Sequence, residues 1–279
     1  METKKRSPIL ASLLSIVSPG LGQMYNGQLV KGIIFYVIGF LSSVILSLAG
    51  LQFRFYGLIF TLALLICIEL FIVGDALFIA LKKREIVLRP YNKWYFYVFF
   101  TILAFGIAEV TDISVDPTKS YSMPSGSMIP TLMIGDHIMV NSDSYNRGRL
   151  KRGDIVVFKY PENPRKDFLK RVIAIEGDII EGKNKKIFVN GKESTEPYIQ
   201  HDDNRIVPKD NGPRDNFGPL TLPKDKIFVM GDNRDQSYDS RYWGFIDIRD
   251  IKGKALYVYW SWDSVPKSVR WDRIGKNIE

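Results

Sequence analysis

The chain has 279 residues, enough for a membrane region plus one globular domain of ordinary size. Its formal charge of +8 is spread thinly: 10 Lys/Arg stand against 6 Asp/Glu up to Asp112, and 28 against 24 thereafter. No dense basic stripe marks a nucleic-acid binder, and the single cysteine, Cys67, excludes both an intramolecular disulfide and a Cys/His zinc site.

Apolar elements come first. Ile9 to Tyr25 is broken by Ser18-Pro19-Gly20, which leaves it either a span or a short, re-entrant helix. Gly32 to Phe53 has no charge. At about 1.5 Å per residue it is long enough for a hydrocarbon core of about 30 Å. Phe55 to Leu81 is a second long run, interrupted by Glu69 and Asp75, which read as helix–helix hydrogen-bonding or interface positions rather than a relay. Cys67, inside it, reads as a small buried hydrophobe. Trp94 to Val110 is a third run, opening on Trp94, Tyr95 and Tyr97, which suit a membrane–water interface. The string Pro19 to Gln28 resembles a motif of small two-helix membrane domains, and its glycines suit a tight turn and close helix packing.

Two basic clusters set the orientation. Lys4-Lys5-Arg6 precedes the first run; Lys82-Lys83-Arg84, with Arg89 and Lys93, separates the second long run from the third. Positive charge collects on the cytoplasmic side, so an even number of crossings must separate the clusters. Two full spans and a non-spanning first segment satisfy this; four full spans in all would not. The last span then carries the chain outward. Apolar runs continue for about a hundred residues, unlike a cleavable signal peptide. Three regions are expected: a multi-span region of unclear role over 1–93, a last anchor over 94–112, and a separate domain over 113–279.

After residue 113 the pattern changes to short runs rich in Val, Ile, Tyr and Phe between turn signals. Strands are predicted at 154–158, 172–175, 187–189, 227–230 and 255–260, with Asn190-Gly191 as a hairpin turn. Gln200 to Pro219 reads as a polar surface loop. The fold class is N-terminal transmembrane α-helices followed by a mostly β domain.

The chemistry centres on Ser127 in Pro124-Ser125-Gly126-Ser127-Met128-Ile129-Pro130. A serine hydroxyl needs a base, yet only His137 and His201 are present. His201 lies in the polar loop and nothing requires His137 to fold back. Lys170, at the start of an apolar run, can serve if burial lowers its pKa by roughly two units from about 10.4. Arg171 beside it would point to the opposite face of a strand, toward an acidic partner.

Four segments in order carry a resemblance. They are Pro124–Leu132, Arg152–Phe158, Leu169–Val172 with Gly177-Asp178, and Gly231–Arg241. Together they resemble the sequence boxes of bacterial type I signal peptidases, the Ser/Lys dyad serine proteases. The resemblance implies an extracytoplasmic complex β domain on the bacterial cytoplasmic membrane that cleaves signal-peptide-bearing preproteins after small residues. It implies Ser127 as nucleophile, Lys170 as general base, and the Ser125 hydroxyl with the Ser127 N–H as oxyanion hole. Ser237 would hydrogen-bond and orient Lys170. Arg171 with Asp232, and Asp239 with Arg241, would form structural ion pairs. Tyr121, Met123 and Leu169 match substrate-pocket positions, although Met123 is larger than the aliphatic residue expected there. Neither metal nor cofactor is implied. Trp260 and Trp262 suit either a lipid surface or core packing. The short segment from Lys170 to Gly231 implies a small accessory subdomain.

Overall fold

The computed structural model describes residues 3–83, 85–115, 117–142 and 150–278, with the backbone alone for 111–115. Arg84, part of the second basic cluster, lies outside the described residues. The chain forms two compact units, Met1–Pro117 and Thr118–Glu279. The boundary falls a few residues beyond the expected 113 because the helix preceding it runs on to Val115.

The first unit contains β1 (Thr3–Lys5), α1 (Pro8–Val17), α2 (Leu21–Tyr25), α3 (Leu29–Leu48), α4 (Phe55–Lys82), β2 (Glu85–Val87) and α5 (Trp94–Val115). The Ser7 side chain caps α1 by accepting from the Leu10 N–H, and Pro8 takes the first helical position, where its missing N–H is not needed. Ten residues rise only about 15 Å, half a bilayer core, so α1 does not cross. The break at Ser18–Gly20 is therefore real. Gly20 has φ +89°, and a side chain there would press into the Gly32 carbonyl.

The five residues of α2 are all buried. Gln23 donates to the Ile72 carbonyl at 2.8 Å and to Asp75 Oδ2 at 3.1 Å, while Asn26 donates to the Ala76 carbonyl at 2.8 Å. Lys31 Nζ meets Asp75 Oδ1 at 2.7 Å. Asp75 thus ties α4 to α2 and α3, whereas Glu69 Oε1 is buried without a hydrogen-bond partner. Helices α3 and α4 are each long and apolar enough to cross a membrane; the apolar part of α5 is Trp94–Val110. Their outer faces expose Ile34, Leu41, Phe60 and Phe71, among others. Cys67 is exposed on α4, contrary to the expectation of burial, because it faces outward from the bundle. β1 pairs antiparallel with β2, Lys4 opposite Ile86 and Lys5 opposite Glu85. This brings both basic clusters to one end of the unit.

The second unit is mostly β. Its strands are β3 (Thr118–Ser122), β4 (Asp136–Asn141), β5 (Ile155–Tyr160), β6 (Asn163–Ala174), β7 (Ile179–Lys183), β8 (Lys186–Val189), β9 (Lys192–Glu193), β10 (Phe217–Thr221), β11 (Lys226–Met230), β12 (Ile246–Asp247), β13 (Ile251–Asp263) and β14 (Ser268–Val269), with a short α-helix, α6 (Ser240–Trp243), and short 3-10 turns among the described residues. The main sheet has the order β12-β11-β6-β5-β13-β4-β3, and β14 pairs with β13. A smaller sheet, β10-β7-β8-β9, forms the subdomain between Lys170 and Gly231. Asn190 and Gly191 both have positive φ, as a two-residue hairpin of this kind requires.

One apolar cluster lies around Met128, Leu132, Ile138, Val157 and Val258; a second packs Phe158, Val172 and Val229. β3 and β4 were not expected from sequence. β3 is polar and mostly exposed at the sheet edge, and β4 has only alternate residues buried. The end of the supposed 200–219 loop enters β10, where Phe217 stacks on Phe228.

Candidate active site

Ser127 sits in the turn that follows β3. The Ile129 N–H bonds the Gly126 carbonyl at 3.2 Å and the Leu132 N–H bonds the Met128 carbonyl at 2.8 Å. This compact turn buries Met128 and Leu132 and leaves Ser127 partly open. Lys170 comes from β6, where it pairs with Val156, and Arg171 pairs with Ile155. Strand alternation sends the two cations apart. Lys170 Nζ lies 2.6 Å from Ser127 Oγ. On the other face, Arg171 makes two bonds to Asp232, Nε–Oδ1 at 2.9 Å and Nη2–Oδ2 at 2.8 Å.

Lys170 is 4% exposed. Burial pushes its pKa down to about 8, partly opposed by the Asp239 carboxylate, with Arg241 pushing down and Asp232 pulling up. A hydroxyl at hydrogen-bond distance from an amine of that pKa is the arrangement a lysine base needs. His137 meets the Tyr259 ring at a tilt and His201 lies 3.3 Å from Asp235; neither has a hydrogen bond to Ser127. Ser125 Oγ is 3.3 Å from Ser127 Oγ and exposed, free to turn toward a ligand.

The loop Gly231–Arg241 packs against the nucleophile turn, with the Asn233 N–H on the Ser127 carbonyl. Asp239 accepts from Arg241 Nε at 2.8 Å and from the Gly231 N–H at 3.0 Å. Burial alone would raise the Asp239 pKa, but Arg241 and these hydrogen bonds hold it below the usual carboxylate range. Arg241 also donates to the Arg234 and Ser237 carbonyls, fixing the loop between them. The expected hydrogen bond from Ser237 to Lys170 is not formed. The Ser237 hydroxyl is buried without a full hydrogen bond, close enough to Asp239 to help hold that carboxylate charged, while Lys170 turns to Ser127.

Tyr121, Met123 and Leu169 do come together: Met123 and Leu169 are buried in one apolar cluster and Tyr121 packs against it. Trp260 and Trp262 are 38% and 41% exposed, so neither is a core residue; Trp260 meets Trp271 edge to face.

Other residues had no role assigned from sequence. Thr131 donates to Asp232 Oδ2 at 2.5 Å, joining the nucleophile turn to the ion pair. The Arg171 guanidinium lies 3.8 Å over the Tyr198 ring, and burial pushes the Tyr198 phenol up to about 12. Asn233 bonds the backbone around Ser127. Arg234 pairs with Glu196 at 2.6 Å, linking the loop to the segment between β9 and β10 of the small sheet. Thr131 and Asn233 lie within the recognised segments, which was the available signal; Tyr198 and Glu196 gave none.

The family described as "Signal peptidase, peptidase S26" matches residues 93–260. "Signal peptidase I" of Pseudomonas fluorescens is 32% identical over 67% of this chain and 78% of its own. The enzyme of the same name from Bacillus caldolyticus is 39% identical over 51% of this chain and 79% of its own. That from Aquifex aeolicus is 34% identical over 51% and 76%. A crystal structure of a signal peptidase I from Enterococcus faecalis covers 39% of this chain and 98% of its own, at 28% identity and a TM-score of 0.32. The chain belongs to the signal peptidase family, peptidase S26, and is a serine endopeptidase of the signal peptidase I kind.

Proposed function

We propose that this protein is a membrane-embedded signal peptidase that removes N-terminal signal peptides from exported preproteins, with Ser127 as nucleophile and Lys170 as general base. The observation that carries the reading is the 2.6 Å approach of a buried lysine to the Ser127 hydroxyl. With a pKa of about 8, about a quarter of Lys170 is neutral at pH 7.5; at 10.5 it would be about one part in a thousand.

Neutral Nζ takes the Ser127 proton as Oγ attacks the carbonyl carbon of the scissile bond. The Ser125 hydroxyl and the Ser127 N–H donate to the oxyanion that forms, each worth about 2.7–4 kcal/mol when well aimed. The Lys170 ammonium then gives its proton to the leaving amine, and the new N-terminus departs. Water, deprotonated by Lys170, attacks the acyl ester and frees Ser127. Ser237 is assigned as a positioning residue; its buried hydroxyl, short of a full hydrogen bond, has an acceptor lone pair to offer the ammonium. The pairs Arg171–Asp232 and Asp239–Arg241 hold the two sides of the dyad in register.

The substrate is an extended chain with small residues before the cleaved bond. β3 ends the main sheet, and the first half of β6 pairs only with β5 among the described residues. Both open edges border the Tyr121, Met123 and Leu169 cluster, where strand addition can seat a peptide. Met123 fills space in that wall and favours a shallow pocket.

Helices α3, α4 and α5 are assigned as spans in the bacterial cytoplasmic membrane. The basic end of the first unit faces the cytoplasm by charge, and the β unit is extracytoplasmic. Trp260 and Trp262 suit contact with the lipid surface where signal peptides reside. The purified chain in detergent is expected to process a preprotein, and Ser127→Ala or Lys170→Ala to abolish this. Full activity in either variant would remove the dyad assignment.

A further inference from the structure

The two peptide groups that flank Ser127 are gripped by one residue. Asn233 donates its backbone N–H to the Ser127 carbonyl at 3.1 Å and its side-chain Nδ2 to the Gly126 carbonyl at 3.3 Å. The Ile129 N–H takes the second lone pair of Gly126 at 3.2 Å. A carbonyl only accepts, so the side of the Asn233 amide turned to Gly126 must be its NH2 group. That choice leaves Asn233 Oδ1 buried without a hydrogen-bond partner. The amide is thus aimed at the nucleophile turn at a cost to its own satisfaction.

The direction of these bonds matters. The Gly126–Ser127 peptide is not among the cis bonds, and in a trans peptide C=O and N–H point opposite ways in one plane. Turning the Gly126 carbonyl toward Asn233 therefore turns the Ser127 N–H away from it. Among the described residues that N–H has no acceptor. The neighbours of Asn233 reinforce the grip: Asp232 holds Thr131 of the same turn, and Gly231 has no side chain to keep the two segments apart.

We infer that Asn233 is a positioning residue for the reaction, fixing the peptide plane whose N–H receives the oxyanion. This rests on the reading of Ser127 as nucleophile. Asn233 touches neither substrate nor the reacting atoms; it acts through the backbone of Gly126 and Ser127.

The test uses the full chain in detergent, a preprotein substrate, its signal-peptide cleavage product as a ground-state ligand, and a peptide boronic acid that forms a tetrahedral adduct with serine. Asn233→Ala and Asn233→Asp are expected to lower kcat roughly tenfold, with KM within about twofold. Boronate affinity should fall by the same factor and product affinity should hold, and in the uncharged Asn233→Ala variant the midpoint of the pH–rate profile should not move. The isosteric Asn233→Asp retains the backbone bond and keeps the test open if the alanine variant does not fold. Unchanged kcat and boronate affinity, equal loss of product and boronate binding, or a moved pH midpoint in Asn233→Ala would each overturn the inference. A wild-type chain that fails to cleave, or a Ser127→Ala chain that still cleaves, overturns the reading of the site itself.

Discussion

Arg171 and Asp232 form a two-bonded ion pair sealed from solvent, one peptide bond from the lysine that meets Ser127. Breaking one half leaves a buried charge without its partner. Arg171→Met is therefore expected to destabilise the β unit by about 3–5 kcal/mol. The double variant Arg171→Met/Asp232→Asn should lose less than the single one. Denaturant midpoints in detergent compare them; equal losses would mean that the pair is not coupled.

Lys170 sets the pH dependence of the rate. Its protonated form cannot accept the Ser127 proton, and its pKa is about 8. The rate at saturating substrate should rise about tenfold per pH unit below that value and level off above it. A titration centred near 6.5, the range of histidine, would point to His137 or His201 instead.

The same residue sets a stability dependence of opposite use. The folded pKa lies below the unfolded one, so folding disfavours the charged form. The penalty is full below about pH 8 and disappears as pH rises toward 10.5, and it amounts to about 3 kcal/mol. Lys170→Met should melt higher than wild type at pH 7, with the gap closed by pH 10.5. A variant that melts lower at pH 7 would show that the Ser127 contact outweighs the burial of the amine.

Gly231 lies where the loop bearing Ser237 meets the nucleophile turn. A methyl group at this position would fall 2.5 Å from both the Ser127 carbonyl oxygen and the Ser237 Cβ. Backbone must move, since neither is the end of a flexible side chain. Gly231→Ala is expected to lower kcat at least a hundredfold while the β unit still unfolds cooperatively, as read by cleavage assay and thermal melt. Near-normal kcat would mean that the loop position is not critical.

Membrane sidedness is testable with single cysteines in a Cys67→Ser background. Lys4→Cys and Lys83→Cys should react with a membrane-impermeant maleimide from the same side, and Asp225→Cys from the other. Labelling of all three from one side would overturn the proposed orientation.

The site was more legible in the sequence than the fold around it. Scarce histidine suggested pairing Ser127 with Lys170, the resemblance of their flanking segments to signal peptidase boxes gave them roles, and strand alternation anticipated the separate destinations of Lys170 and Arg171. Strands with apolar runs on two faces, such as β5 and β11, could be read. β3 could not, because its Thr-Lys-Ser-Tyr-Ser sequence is that of an exposed edge and has no apolar period. Tyr198 and Glu196 were invisible because their partners, Arg171 and Arg234, are distant in sequence and share no pattern with them. The Ser237 hydroxyl departs from expectation: an ammonium has donors enough for two hydroxyls, yet here Lys170 Nζ bonds Ser127 and Ser237 Oγ is left short of a full hydrogen bond.

The β1–β2 ribbon joins residues that leave the ribosome some eighty positions apart. Thr3–Lys5 cannot find its partner until α3 and α4 have both been made and Glu85–Val87 has followed them. The ribbon therefore closes only after both helices have been made and bring its ends together. In the proposed topology Lys4 and Lys5 stay on the side where they began, and the finished ribbon records two crossings completed without a reversal.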